Sequence, residues 1–280
     1  MSLADRIMKI DRRIIYALIF IVIFLFSLKP MGIPVVTQPW VIDTYKLVES
    51  LQPGDKVLIC WSLYPVSNEQ IAGAVVILQH LCMRGIKTVH FQTQTAVDLV
   101  DDVMLNKVHP ESYGQVYGKD WLWLGYISGL EAGQAAIAQN LKGTVTVDKY
   151  GNQLSQYSLW NELTNDARQF KFVLSPSAET PGTAGVLRQF QIPYGLKIVE
   201  SGSAFSLGSV MPFYASKQYW GMVAGFPDCA AYEKLIGKPG IGSRSTDPLS
   251  AMGLLVFGLL LVSNIAYIIS KLGGKGGSVK

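Results

Sequence analysis

Four short polar segments carry the side chains best suited to holding a small ligand, and each follows an apolar run rich in β-branched or aromatic residues. They are Ser62-Leu63-Tyr64-Pro65-Val66-Ser67, Ser128-Gly129-Leu130-Glu131-Ala132-Gly133, Ser175 through Gly182, and Ser201-Gly202-Ser203-Ala204-Phe205-Ser206. Within them Ser128, Gly129, Ser177, Thr180, Ser201 and Ser203 are the candidate binding residues. The start of a helix offers unpaired amides and a partial positive charge, so Ser, Thr and Gly placed there can hold a phosphate or carboxylate. The same residues also cap helices and turn the chain, which every α/β protein needs, and both readings stand. Glu131 and Glu179 lie in two of these segments. Brought together they would form a carboxylate pair for acid–base work; kept apart they are ordinary acids in the first turn of a helix.

Other chemistry has weaker support. His80, His90 and His109 have no metal-like spacing, and His80 and His90 fall in helix-like and strand-like runs where a histidine is usually structural. His109 stands in a loop and would need a serine brought to it by folding. Cys60, Cys82 and Cys229 show neither CxxC nor ligand spacing, so no metal is expected, although an extracytoplasmic location would permit a disulfide. The chain has no GxGxxG after a strand, no GxxxxGK[ST] and no GxSxG, so no nucleotide cofactor and no catalytic residue is expected.

The elements that must position these segments follow from periodicity. Strands are predicted over Lys56–Trp61, Ile86–Phe91, Trp121–Ile127, Lys171–Leu174, Leu196–Glu200 and Trp220–Ala224, short apolar runs of the kind covered on both faces. Helices are predicted from a Ser67/Gln70 capping box to Gly85, over Ala96–Val108, over Glu131–Leu141, over Pro181–Gln191 capped by Thr180, and over Cys229–Ile236. Such alternation implies a parallel, doubly wound (Rossmann-like) sheet, whose ligands bind beyond the carboxyl ends of the strands. Two aromatic stretches, Tyr117 to Tyr126 and Tyr214 to Trp220, supply either core or a partner surface.

The ends of the chain have a different character. Ile14–Leu28 and Ala251–Ser270 are charge-free apolar runs of 15 and 20 residues, against the roughly 20 needed to cross a bilayer. The tails outside them hold 7 of the 24 basic residues and 2 of the 20 acidic ones, leaving 17 basic and 18 acidic between. A balanced middle has no electrostatic footprint for nucleic acid. Basic tails place both termini in the cytoplasm. The expected organisation is a basic tail over 1–13, a transmembrane helix over 14–30, an extracytoplasmic α/β domain over 31–247, a second transmembrane helix over 248–270 and a basic tail over 271–280. No small-x-small site follows the first run, which argues for an uncleaved anchor. Leu3, Ile7, Ile10 and Ile14 share a helical face that would suit the headgroup layer or a solvated tail. Asp247 and Pro248 suit the start of the second span, and within it Asn264, with Ser263, is a candidate helix–helix contact or meets water and headgroups near the interface.

Tyr117-Gly118-Lys119-Asp120-Trp121 followed by Leu124-Gly125-Tyr126, the Ser177 to Gly182 segment with its Thr-Pro-Gly, and Ala231 through Gly240 (AYEKLIGKPG) resemble a family of uncharacterised prokaryotic membrane-anchored α/β proteins. The resemblance implies architecture and brings no activity with it; the Ser-Arg-Ser-Thr-Asp-Pro before the last span departs from the expected lead-in. Two anchors, a neutral domain and no catalytic set lead to the expectation of a non-catalytic subunit of a membrane protein complex. Its partners would be lipid and other subunits or further copies of the chain. The alternatives are a membrane-tethered small-ligand-binding or sensory domain using the strand-end loops and, last, a hydrolase-like enzyme built on Glu131, Glu179 or a loop serine.

Overall fold

Six apolar runs pair into one all-parallel sheet in a computed structural model that describes residues 11–28, 33–64, 67–95, 99–177 and 180–273. The strands are β1 (Lys56–Trp61), β2 (Lys87–Gln92), β3 (Trp121–Tyr126), β4 (Phe172–Pro176), β5 (Lys197–Gly202) and β6 (Tyr219–Ala224), each within two residues of its expected bounds. Their order is β3-β2-β1-β4-β5-β6, so the chain works outward from β1 to one side and from β4 to the other. That reversal leaves the switch point between β1 and β4, where this architecture opens a crevice.

Alternation along each strand builds two cores. Val57, Ile59 and Trp61 face one side with Phe172, Leu174 and Val199, while Leu58 and Cys60 face the other with Val173 and Ile198. Helices α2 (Pro39–Glu49), α3 (Asn68–Met83), α4 (Leu99–Val103) and α8 (Gly225–Leu235) contribute to the first core. Helices α5 (Glu131–Gln139), α6 (Thr180–Val186) and α7 (Leu207–Ala215) contribute to the second, with the irregular stretch from Leu154 to Phe170. The helix expected over Ala96–Val108 is divided: α4 is followed by a π-type turn at Met104–Val108, and residues 96–98 lie outside the description. A π-type turn at Leu187–Gln191 likewise interrupts the helix expected over Pro181–Gln191.

Two of the longer helices had no counterpart among the elements expected from sequence. α2 seats its inward Thr44 against Gly221 of β6, where any Cβ would overlap the Thr44 hydroxyl, and its Val41, Leu47 and Val48 are buried. α7 carries Pro212 inside it, a residue that ordinarily marks a helix end. The expected capping box at the start of α3 does not form. Ser67 makes no side-chain cap and instead accepts a hydrogen bond from the Tyr64 amide at 3.3 Å, while Gln70 is buried.

The described residues group into two compact units, Val35–Gly242 with the sheet, and Met1–Pro34 with Ser243–Lys280. In the second unit α1 (Arg12–Leu28) has 17 residues, and the long helix α9 runs over Ile241–Gly273. Among the described residues one helix, α9 over Ile241–Ile269, is long and apolar enough to cross a membrane. It begins before the expected Asp247 start and carries Pro248 inside it. The Asp247 carboxylate accepts a hydrogen bond from the Ile33 amide at 3.1 Å, which ties the segment after α1 to α9. The half-buried positions of α1, Ile15, Ile19, Val22, Ile23 and Phe26, recur on one face at helical spacing. Residues 1–10, with Leu3, Ile7 and Ile10, and residues 274–280 lie outside the described residues.

Candidate functional site

The carboxyl edge of the sheet gathers hydroxyl side chains from β1, β2, β4 and α6. Ser62 and Ser177 continue β1 and β4 as a parallel bridge, with the Ser62 amide donating to Pro176 and the Ser177 amide donating to Ser201. The Ser62 hydroxyl lies 3.1 Å from that of Thr93, which follows β2. The Ser177 hydroxyl lies 3.3 Å from Thr183 of α6, which donates at 3.1 Å to Oε1 of Glu200 on β5. Ser175 donates to the Gly182 carbonyl, and the buried Tyr219 hydroxyl donates to the Thr183 carbonyl at 2.6 Å. These bonds draw the first turn of α6 down onto the ends of β1 and β4. Gly182 sits so close that a Cβ would overlap the Ser177 hydroxyl and stand 2.7 Å from Ser62 Cβ. The first turn of α6 therefore lies against Ser62 and Ser177 at the switch point.

Glu200 is the chemically unusual member. It is 1% exposed, and its second oxygen, Oε2, is buried without a hydrogen-bond donor. Burial pushes its carboxyl up to about 7, against the smaller opposing effects of Tyr219 and Thr183. The same face holds Cys60, whose thiol burial keeps protonated, so no thiolate is on hand. The arrangement can hold or release one proton near neutral pH. It presents no activated nucleophile.

The residues expected from sequence divide between this cluster and ordinary turns. Ser177 belongs to the cluster, and Ser201 donates from the other face of the sheet to the Gln70 carbonyl at 2.6 Å. Ser203 exchanges hydrogen bonds with Ser206 ahead of α7, and the nearby Ala204 amide donates to Glu69. Ser128 is exposed and Gly129 has φ +96° in the turn before α5. Thr180 opens α6, with its side chain outside the description. Ser263 is exposed, and Asn264 donates to the Leu260 carbonyl of its own helix at 2.9 Å. Glu131 pairs with Arg188, which lowers its carboxyl, and Glu179 lies outside the described residues.

The remaining titratable groups are built into packing. His90 accepts from the Trp61 indole at 3.2 Å, contacts Thr88, and burial drives it down to about 3. His80 lies between Glu49 and Tyr232 at 2.8 and 2.9 Å, stacked on Tyr45, with burial lowering its pKa. His109 is exposed with φ +56°, beside Glu111. All three cysteines are free and buried. Among the described residues no group of three or more His, Cys, Asp or Glu is placed to hold a metal. Trp121 and Trp123 are core, and Tyr117 stacks edge-on with Trp121, Tyr150 and Tyr157. Below that cluster Asp148 accepts from the hydroxyls of Tyr117 and Tyr157 and from the amides of Tyr150 and Asn152. Burial opposes its ionisation, and those donors more than offset it.

Sequence reasoning missed Glu200, Thr183, Thr93 and Asp148. An acid inside the apolar strand run Lys197-Ile198-Val199-Glu200 was the one available signal, because a carboxyl is almost never fully buried without a partner.

Three exposed apolar side chains stand in the strand-end loops of this edge, beside the exposed Ser128 and the Glu131–Arg188 pair. Tyr64 after β1, Leu130 after β3 and Phe205 after β5 are 38%, 43% and 98% exposed. Leu130 is held at φ +51°, a conformation that costs a branched residue roughly 1–3 kcal/mol. No protein-family model matches this sequence, and no curated protein was found to be similar to it.

Proposed function

We propose that this protein is a membrane-anchored, non-catalytic subunit of a larger membrane complex, and that the carboxyl edge of its α/β domain is the surface it offers to a partner. The observation that carries this reading is the inversion of that edge. Where the strand order would open a ligand crevice, the hydroxyls of Ser62 and Thr93 and of Ser177 and Thr183 face one another close to α6, and Tyr64, Leu130 and Phe205 are exposed on three strand-end loops. Exposed aromatic and aliphatic side chains spread along the loops at one edge of a rigid sheet suit a protein partner better than a polar metabolite.

The anchor in this reading is a two-pass one, α1 and α9, with both termini cytoplasmic and the α/β domain on the far side. Its support is the run of exposed apolar residues on both helices, including Phe20, Phe24, Leu25, Leu254, Phe257, Leu260 and Ile268, which water would not tolerate together. At 17 residues α1 reaches about 25 Å, and Arg12 and Arg13 can extend toward the headgroups to complete a short span.

The test is extraction from native membranes in mild detergent, followed by identification of co-purifying chains for wild type and for Phe205→Glu with Leu130→Glu. Wild type is expected to carry defined partners or further copies of itself, and the doubly substituted protein to lose them while keeping its circular dichroism. A monomer in every detergent, or partners retained in full by the variant, overturns the reading.

A further inference from the structure

At the opposite end of the sheet, the amino edge of β5 and β6, lies a cavity of about 460 Å³. Asp43, Lys46 and Leu47 of α2 line one wall; Lys197 at the start of β5, and Lys217 and Trp220 around the start of β6, line the other. Its volume falls within the roughly 300–1,000 Å³ of small-molecule sites. Three separate stretches of chain thus each contribute a lysine to the lining of one space.

The lysines outnumber the acids of the lining three to one. Among the described residues none of Lys46, Lys197 and Lys217 forms an ion pair with a carboxylate, whereas Lys87, Lys107 and Lys171 each do. Asp43, the one acid in the lining, is engaged at 2.6 Å by the Tyr214 hydroxyl. Lys197 stands 4.0 Å over the ring of Trp220, so an aromatic face of the lining holds that side chain at the cavity, and Lys217 lies 5.2 Å from the ring of Tyr214. Lys217 also occupies a φ of +60°, a left-handed position where glycine is the usual residue.

We propose that this cavity binds a phosphate-bearing anion, the three ammonium groups meeting the phosphate oxygens and an adjoining apolar part lying on Leu47 and Trp220. Lysine suits this role as a compact charge with three donors that can reach oxygens in any direction, and three of them balance the two charges of a phosphomonoester together with Asp43. The phosphate can come from a soluble ester or from the headgroup of an anionic lipid. The inference is independent of the partner surface at the carboxyl edge.

The experiment is lysine acetylation footprinting of the full chain in phosphatidylcholine nanodiscs, read by mass spectrometry, with the exposed Lys119 and Lys234 as internal references. Pyrophosphate is added to one sample, and phosphatidylglycerol replaces part of the lipid in another. Protection of Lys46, Lys197 and Lys217 by about fivefold over the references, lost in about 0.5 M salt, supports the site. Protection by pyrophosphate identifies a soluble source, and protection in phosphatidylglycerol alone identifies a headgroup. Lys217→Gln, and Lys217→Gly whose backbone suits the φ of +60°, are expected to cut protection of Lys46 and Lys197 severalfold with melting unchanged. No protection under either condition, protection shared equally with Lys119 and Lys234, or full protection retained in both variants overturns the proposal.

Discussion

At the residue scale Glu200 is the group whose behaviour most directly tests the sealed edge. Its carboxyl is raised from the ordinary 4.5 to about 7 because burial penalises the charge. Between those values the folded state holds a proton that the unfolded chain has released, so stability falls as pH rises. The contribution is fully present below about pH 4.5, is lost as pH climbs through 7, and amounts to roughly 3 kcal/mol across the window. Glu200→Gln removes the titration while keeping a polar group against Thr183. The variant should therefore gain stability over wild type on going from pH 5 to pH 8, which thermal melts of both proteins in the same detergent will show. Parallel pH profiles for the two would place the Glu200 carboxyl in contact with solvent and contradict its burial. His80 and His90 titrate in both proteins and cancel from the comparison.

At the element scale the seal depends on how closely α6 approaches β1 and β4. Gly182→Ala would drive a methyl into the Ser177 hydroxyl and Ser62 Cβ, and the overpacking should cost about 1–3 kcal/mol. Gly208 near the start of α7 has open space around it, so Gly208→Ala should be neutral or slightly stabilising. Denaturant melts of the two variants separate a steric seal from a general intolerance of alanine; equal stability would mean that α6 rides higher on the strands. The same scale shows what the sequence could reveal. All six strands were legible because each is a short apolar run bounded by turn residues, as in Lys56 to Trp61 after the Pro53-Gly54 turn. The sheet class followed from their alternation with helices. α2 was not legible, because its inward positions include a threonine that fits only against Gly221, a match made across 177 residues of chain. α7 was hidden by Pro212. The candidate serines were found by type and place, but whether each pairs inward, as Ser177 does, or caps a turn, as Ser203 does, depends on partners such as Thr183 and Glu200 that only folding brings near.

For the whole molecule, the division between a sheet unit and a terminal-helix unit has a consequence for solubility. Among the described residues, every member of both hydrophobic cores lies between Val35 and Ile241, with none from α1 or the apolar length of α9. The hydrogen bonds that close the end of the domain are inside it too, since Glu233 of α8 accepts from the amides of Gly240 and Gly242. A fragment from Val35 to Gly242 should therefore fold alone, remain in solution without detergent, and melt within a few degrees of the sheet domain in the intact protein. If the proposed anchor is right, the intact chain should resist extraction by high salt and alkaline carbonate and yield only to detergent, because lipid rather than charge would hold the exposed side chains of α9 from Leu254 to Ile269. Sedimentation after those washes, and circular dichroism of the fragment, check the two halves of the prediction separately. A fragment that aggregates would show that the terminal helices complete the core rather than merely anchor it; a chain washed off by carbonate would remove the membrane from the account while leaving the sheet domain as described.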